Sequence, residues 1–431
     1  MKKLSTIIML LSFVLVFGLV SCDSTGNSGG AGNNTEKTEN PQEIQSSDLM
    51  NDIAAQPVNA KGLDDQFRSA AAKFSLDLYK ASISNSGNSL ISPASVLLAL
   101  AMTANGADGN TLSQMEQVLG GGMPINSLNE YLFSFVQNLN SQPKERISIS
   151  NSIWFRNSGL LAFTPNRDFL QTNADYYSAD AFAAPFDDQT VNDINTWINN
   201  ATDGLIKEML DNIPPDAVIY LINTVLFDAE WKYIYKTNDV RGGEFTAYNN
   251  QKQPATFMHS SENKFISDDK AIGFIRPYHS ERYSFAAILP VEDIDIFDYI
   301  AALSGEDFLK LIGNARSARV TAALPKFGYE YKISMNDALK AMGMEEAFSM
   351  ERADLSRMGS GNLFISKVEH KAYIDVDERG TKAGAATVVE VGTTSVPPPP
   401  IPVILDRPFI YAIIDNATNL PLFIGTLLLI P

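Results

Sequence analysis

Gly380-Thr-Lys-Ala-Gly-Ala-Ala-Thr-Val-Val-Glu-Val391, running on through Gly392-Thr-Thr-Ser-Val396 into Pro397-Pro-Pro-Pro-Ile-Pro402, is the stretch that decides how this chain is read. Alternate positions Thr381, Ala383, Ala385, Thr387, Val389 and Val391 are small or β-branched, whereas Lys382 and Glu390 fall on the opposite parity. That is the pattern of a one-sided strand. The prolines that follow cannot donate to a sheet ladder and favour extended, exposed chain. A strand-competent segment tied to an exposed proline tract predicts chain that is displayed first and becomes a strand later.

Upstream of this segment, helical periodicity (Ala94–Ala104, Ser113–Leu119, Asn192–Met209, Asn336–Met342) alternates with strand-like runs such as Ala217–Phe227, Ser284–Leu289 and Phe409–Ile414. No internal repeat or long linker divides them. The pattern predicts one large α+β domain. It begins with a helix whose inner face carries Phe67, Ala70, Phe74 and Leu78. Residues 23–60 precede the domain, and up to about residue 48 they are Ser, Gly, Asn, Thr and Glu with scarcely an apolar side chain. Such chain cannot recover its ordering entropy by burial and predicts a flexible tether.

The N-terminus has its own logic. Lys2 and Lys3 precede an apolar run from Ile7 to Val20 that closes on Leu19-Val-Ser-Cys22. The run is shorter than the ~20 residues a spanning helix needs. It resembles a bacterial lipoprotein signal, residues 1–22, with lipid expected on Cys22 and the protein held in the cell envelope through that lipid. Cys22 is the sole cysteine, so no intrachain disulfide can form. The 33 basic against 50 acidic residues give a net charge of −17, which disfavours nucleic acid and heparin as partners.

Several segments, in order from Leu63 to the C-terminus, resemble the serpin family. They include Asn88-Ser-Leu-Ile-Ser92-Pro-Ala-Ser95, Asn195-Thr-Trp197 with Thr202-Asp-Gly204, Asn223-Thr-Val-Leu-Phe227 with Trp231, and Leu324-Pro-Lys-Phe327. Ile365-Ser-Lys-Val-Glu-His370, the hinge Glu378–Thr387 and Asp406-Arg-Pro-Phe409 through Gly425 complete the series. The resemblance implies a serpin fold over 61–431. It has a large central mixed sheet, further sheets, eight or nine helices and an exposed reactive-centre loop at about 378–405.

It also implies a function: suicide inhibition of a serine protease, in which the protease cuts the loop and forms an acyl-enzyme. The freed segment then inserts into the main sheet, so that the distorted protease stays covalently trapped. Glu378, Gly380, Thr381, Ala383, Gly384, Ala385, Ala386 and Thr387 match the small-residue hinge of inhibitory members. Counting from Glu378, and matching Thr394-Ser-Val-Pro-Pro398, both place the reactive bond at Thr394-Ser395. Counting back from Asp406 places it about three residues later. A threonine before the bond suits the shallow pocket of an elastase-like or subtilisin-like protease rather than a trypsin-like one.

Ser92, Ser95, Asn223 and His370 match a buried polar cluster beneath the sheet opening, with His370 bonded to Asn223. No Gly-x-Ser-x-Gly elbow accompanies the serine and histidine, so catalysis is not expected. His259 and His279 lack zinc spacing, and Ala104-Asn-Gly-Ala-Asp-Gly-Asn110 lacks the terminal glutamate of a calcium loop. Trp231 is read as packing. The expectation is therefore a monomeric inhibitor without metal or cofactor. A non-inhibitory serpin with a binding or chaperone-like role and a solute-binding lipoprotein are the alternatives.

Overall fold

Asp64 caps the helix α1 (Asp65–Ser82) by accepting a hydrogen bond from the Phe67 amide at 3.0 Å, and the helix buries Phe67, Phe74 and Leu78. Pro93 opens α2 (Pro93–Ala104), where its missing N–H costs nothing, and every residue of α2 is buried. A helix apolar on all sides belongs inside the molecule, and α2 packs directly beneath the main sheet. Helix α3 (Asp188–Ala201) begins with a capping box between Asp187 and Thr190. It ends where Asp203 and Gly204 take φ of 51° and 79°, so the helix expected to reach Met209 stops at Ala201.

The computed structural model describes residues 43–139, 143–361, 363–381 and 399–431. Cys22, Ala383, Gly384, Ala385, Ala386, Thr387, Thr394 and Ser395 lie outside the described residues.

Among the described residues seven strands make the main sheet: β1 (Ser47–Asp48), β2 (Glu145–Arg156), β3 (Asp180–Ala184), β4 (Ile219–Glu230), β5 (Phe327–Ser334), β6 (Lys367–Val376) and β7 (Gly380–Thr381). Their spatial order is β1-β3-β2-β4-β7-β6-β5. The sheet is mixed, with β2–β3 and β4–β6 parallel and the other neighbours antiparallel. Strand β4 is buried almost throughout because α2 covers one face and α3 the other. On the α3 side, Ile194, Trp197 and Ile198 pack on Trp154, Phe182, Tyr220 and Ile222 as a core of their own. A second, nine-stranded sheet lies on the far side of α2. One of its edges is Ile401–Ile404, running parallel to Arg316–Pro325.

One boundary differs from the reading of composition. Residues 43–60, expected as the end of a tether, lie against the body. Strand β1 extends the sheet edge on β3, and Ser46 donates through its amide (2.7 Å) and hydroxyl (2.5 Å) to Asp193 of α3, which is 2% exposed. Leu49, Met50 and Ile53 pack on the core. Polar composition hid the few apolar side chains and the backbone groups that hold this segment.

Candidate functional site

The seam between β4 and β6 is where the hinge and the buried cluster meet the sheet. At its lower end the two strands pair directly, Lys367 to Tyr220 through His370 to Asn223. At its upper end Gly380 and Thr381 lie between them, with Thr381 facing Ala229 on one side and Val376 on the other. The strands therefore separate from direct contact to a full strand's width across Thr224–Asp228 and Lys371–Asp375. A cleft in this stretch is lined by Thr202, Ile206, Val225, Phe227, Ile374 and Thr381.

The upper end is held by backbone and aromatic contacts. Trp231 donates its amide to the Arg379 carbonyl (2.8 Å) and its indole N–H to the Asp377 carbonyl (2.9 Å), and the Tyr235 amide donates to the Glu378 carbonyl (2.9 Å). The Asp377 carboxylate accepts from the amides of Arg379 and Gly380 and so fixes the turn. Gly380 is required by proximity: a Cβ there would sit 1.9 Å from the Ala229 carbonyl oxygen. Thr381 is 3% exposed and its hydroxyl lies 2.7 Å from that of Tyr278. Tyr278 in turn stacks on Trp231 at 4.6 Å between ring centroids. Beneath this pair runs a buried Arg276–Glu262 ion pair, with the guanidinium 3.9 Å from the Tyr235 ring centre.

Lys326 Nζ reaches both oxygens of Glu378, at 2.9 and 2.8 Å. Partial burial is the largest single influence on Glu378 and raises its pKa, but the hydrogen bond and charge of Lys326 together with a backbone hydrogen bond outweigh it, and the carboxyl titrates below its usual range. Thr381, the first residue of the alternating segment and a hinge position, is already seated between the two strands. The reason is the turn at Asp377, which brings Gly380 and Thr381 into register with β4 without any opening of the lower seam.

The lower end carries the buried polar cluster, and the structure brings all four expected residues together. Ser92, Ser95, Asn223 and His370 are each at most 2% exposed. Their connections differ from the expected ones. His370 Nε2 accepts from the Ser92 amide at 3.1 Å, while Asn223 donates to the Ser95 carbonyl at 2.8 Å and to Asn151, and accepts from the Ser95 hydroxyl. His370 and Asn223 are register partners but not hydrogen-bond partners, because Asn151, level with Asn223 on β2, already takes the amide.

Since His370 Nε2 accepts, Nδ1 carries the proton, and it has no partner among the described residues. Burial lowers the His370 pKa to about 4. The imidazole is neutral, and Ser92 donates its hydroxyl to the Leu422 carbonyl at 2.7 Å rather than to His370, so the cluster has no activated nucleophile. Among the described residues no group of three or more His, Cys, Asp or Glu could hold a metal ion. Sequence reading had missed Asn151, Tyr235 and Tyr278. Their types gave no signal, since each becomes significant only through contacts with distant chain.

The family model Serpin (serine protease inhibitor) matches residues 69–429. The chain belongs to the serpin family. This serpin is 31% identical to a serine protease inhibitor of Cyanea capillata, over 78% of this chain and 91% of that protein. It is 28% identical to the human leukocyte elastase inhibitor, over 84% of this chain and 98% of the other. Among solved structures it resembles the native state of the thermophilic serpin tengpin, with a TM-score of 0.86 and 49% identity over 90% of this chain and all of that one. The latent state of tengpin matches with a TM-score of 0.77 at 48% identity, over 86% of this chain and all of that one. Members of the family are mostly protease inhibitors rather than catalysts, and they typically target serine proteases.

Proposed function

We propose that this serpin inhibits a serine protease as a suicide substrate, through cleavage at Thr394-Ser395 and insertion of the upstream segment between β4 and β6. The observation that carries the proposal is the seating of Gly380 and Thr381 on both flanking strands at the mouth of the seam. Continuing that register downward sets positions 383 and 385 level with Phe227–Ile374 and Val225–Ala372. The sequence supplies alanine at both, so entry meets no bulk. Position 387 comes level with Asn223–His370, the first directly paired residues. Residues 382–386 thus fill an existing separation, and insertion from Thr387 onward breaks the direct pairs below.

The target class follows from Thr394 and accords with the relation to the leukocyte elastase inhibitor: a protease with a shallow elastase-like or subtilisin-like pocket. Mixing the folded domain with such a protease yields a complex stable in SDS and a released peptide beginning at Ser395. Cleavage by every protease tried, with none trapped, would contradict inhibition. Lipid on Cys22 would hold this inhibitor in the cell envelope. On that reading Cys22→Ala abolishes lipid labelling and leaves inhibition intact.

A further inference from the structure

The strand Ala271–Pro277 is apolar except at Arg276, and that arginine is only 4% exposed. A guanidinium this deep is costly unless it is paired and hydrogen-bonded. Arg276 Nη1 meets Glu262, itself 5% exposed, and Nη2 donates to the Tyr233 carbonyl. Glu262 also accepts from the Ser260 hydroxyl at 2.5 Å, and a β-bulge between Ser317 and Val320 lies beside it on the neighbouring strand. The guanidinium packs on two rings as well. Its carbon lies 3.9 Å from the Tyr235 ring centre and 5.0 Å from that of Trp231.

Trp231, Tyr233 and Tyr235 are alternate residues of one short segment, and all three meet this single cation. The same segment holds the hinge: Trp231 donates to the carbonyls of Asp377 and Arg379, and Tyr235 to that of Glu378. The Tyr233 side chain is 52% exposed and packs little, so its carbonyl, bound by Arg276, is what ties the middle of the segment down. We infer that Arg276, fixed by Glu262, is a positioning residue for the hinge: it holds residues 231–235 and through them keeps Gly380 and Thr381 seated at the mouth of the seam. An arginine suits the task because its fork reaches a carboxylate and a carbonyl together, whereas a lysine offers a point charge. Both charged partners belong to the nine-stranded sheet, which thereby helps to set the starting register in the main one.

The bearing of this role on inhibition rests on the proposed insertion mechanism, and two readouts keep them apart. Backbone hydrogen exchange in the intact protein, at 229–236 and 376–381 against 219–224, reads the seat. The stoichiometry of inhibition of an elastase-like protease reads the consequence. Arg276→Met leaves Glu262 buried without its cation and lowers the thermal midpoint by about 5 °C. Arg276→Met/Glu262→Met removes both charges and returns the midpoint to within about 2 °C of wild type. In that double variant exchange is still at least about tenfold faster at both hinge segments and unchanged at 219–224. Its stoichiometry rises about threefold, as insertion loses ground to deacylation.

Wild-type exchange at 376–381 in the folded double variant would overturn the positioning role, because a pair that only stabilises the second sheet leaves the hinge untouched. Should the double variant not fold, Arg276→Lys, which keeps a charge beside Glu262 but not the second bond, carries the same exchange test. Faster exchange with unchanged stoichiometry upholds the positioning role and removes its bearing on insertion. If wild type traps no protease, the inhibitory reading fails and exchange alone decides whether Arg276 positions the hinge.

Discussion

The two ends of the β4–β6 seam are built from different materials. The upper end is separated by a strand's width and held by backbone hydrogen bonds from Trp231 and Tyr235, one half-exposed ion pair and a buried aromatic stack. The lower end is closed by direct strand pairing over a polar cluster in which Asn223 satisfies three neighbouring atoms. A strand can begin to enter from above by extending what is already there. Completing its entry requires the lower pairs to part. On the proposed mechanism the upper end governs whether insertion starts, and the lower end how readily the uncut protein resists it.

The largest expected effect tests the upper end. Thr381→Arg places a guanidinium in a site that is 3% exposed and filled by Tyr278. Burying it unpaired costs several kcal/mol. The hinge strand is then expelled, insertion loses its race with deacylation, and the variant is cut without trapping protease. A stoichiometry titration checks this. Because Thr381 is already seated, some loss of stability in the intact protein is expected as well.

At the lower end, the neutral His370 makes the intact fold acid-sensitive. Its folded pKa is about 4 against 6.5 when exposed, so the unfolded chain takes up the proton first and stability falls as pH drops through that window. The slope from this group is at most about 1.4 kcal/mol per pH unit and flattens below the folded value. Urea titrations from pH 7 to 4 on wild type and His370→Gln isolate it. An identical slope in both would remove His370 from the account.

Asn223→Ala leaves buried groups of Ser95 and Asn151 without their partner and lowers intact stability by about 2 kcal/mol. The smallest effect belongs to Lys326→Ala. Both partners of the Lys326–Glu378 pair are about a third exposed, so solvent screening limits its loss to about 1 kcal/mol or less. Because the Glu378 pKa is depressed in the fold, that contribution is present above its unfolded value and disappears as pH falls through the lowered one. A loss from Lys326→Ala exceeding that from Asn223→Ala would reverse the ranking of the two ends.

Much of this was legible in sequence where the signal is local. Ala94–Ala104 reads as a helix and forms one from Pro93, and the strand-like run Ala217–Phe227 lies mostly within Ile219–Glu230. Ser92, Ser95, Asn223 and His370 were gathered by the family resemblance, but not by spacing, since they are spread over nearly the whole fold. What stayed hidden depends on partners far along the chain. Asn151 displaces the expected His370–Asn223 bond, Asp203 and Gly204 cut α3 short, and Ser46 meets a carboxylate 147 positions away. Alternation of side chains predicts a loop able to become a strand, a reading that falls on residues 382–398, outside the described ones. It could not tell that Gly380 and Thr381, where the segment begins, already form a strand.

Thermal unfolding of the domain before and after cleavage at Thr394-Ser395 tests the central claim most directly. If the freed segment enters the seam, it adds ladder hydrogen bonds along both β4 and β6 and buries Val389 and Val391. The cleaved protein then unfolds at least about 10 °C above the intact one. A cleaved protein that melts at or below the temperature of the intact one would contradict insertion into this seam.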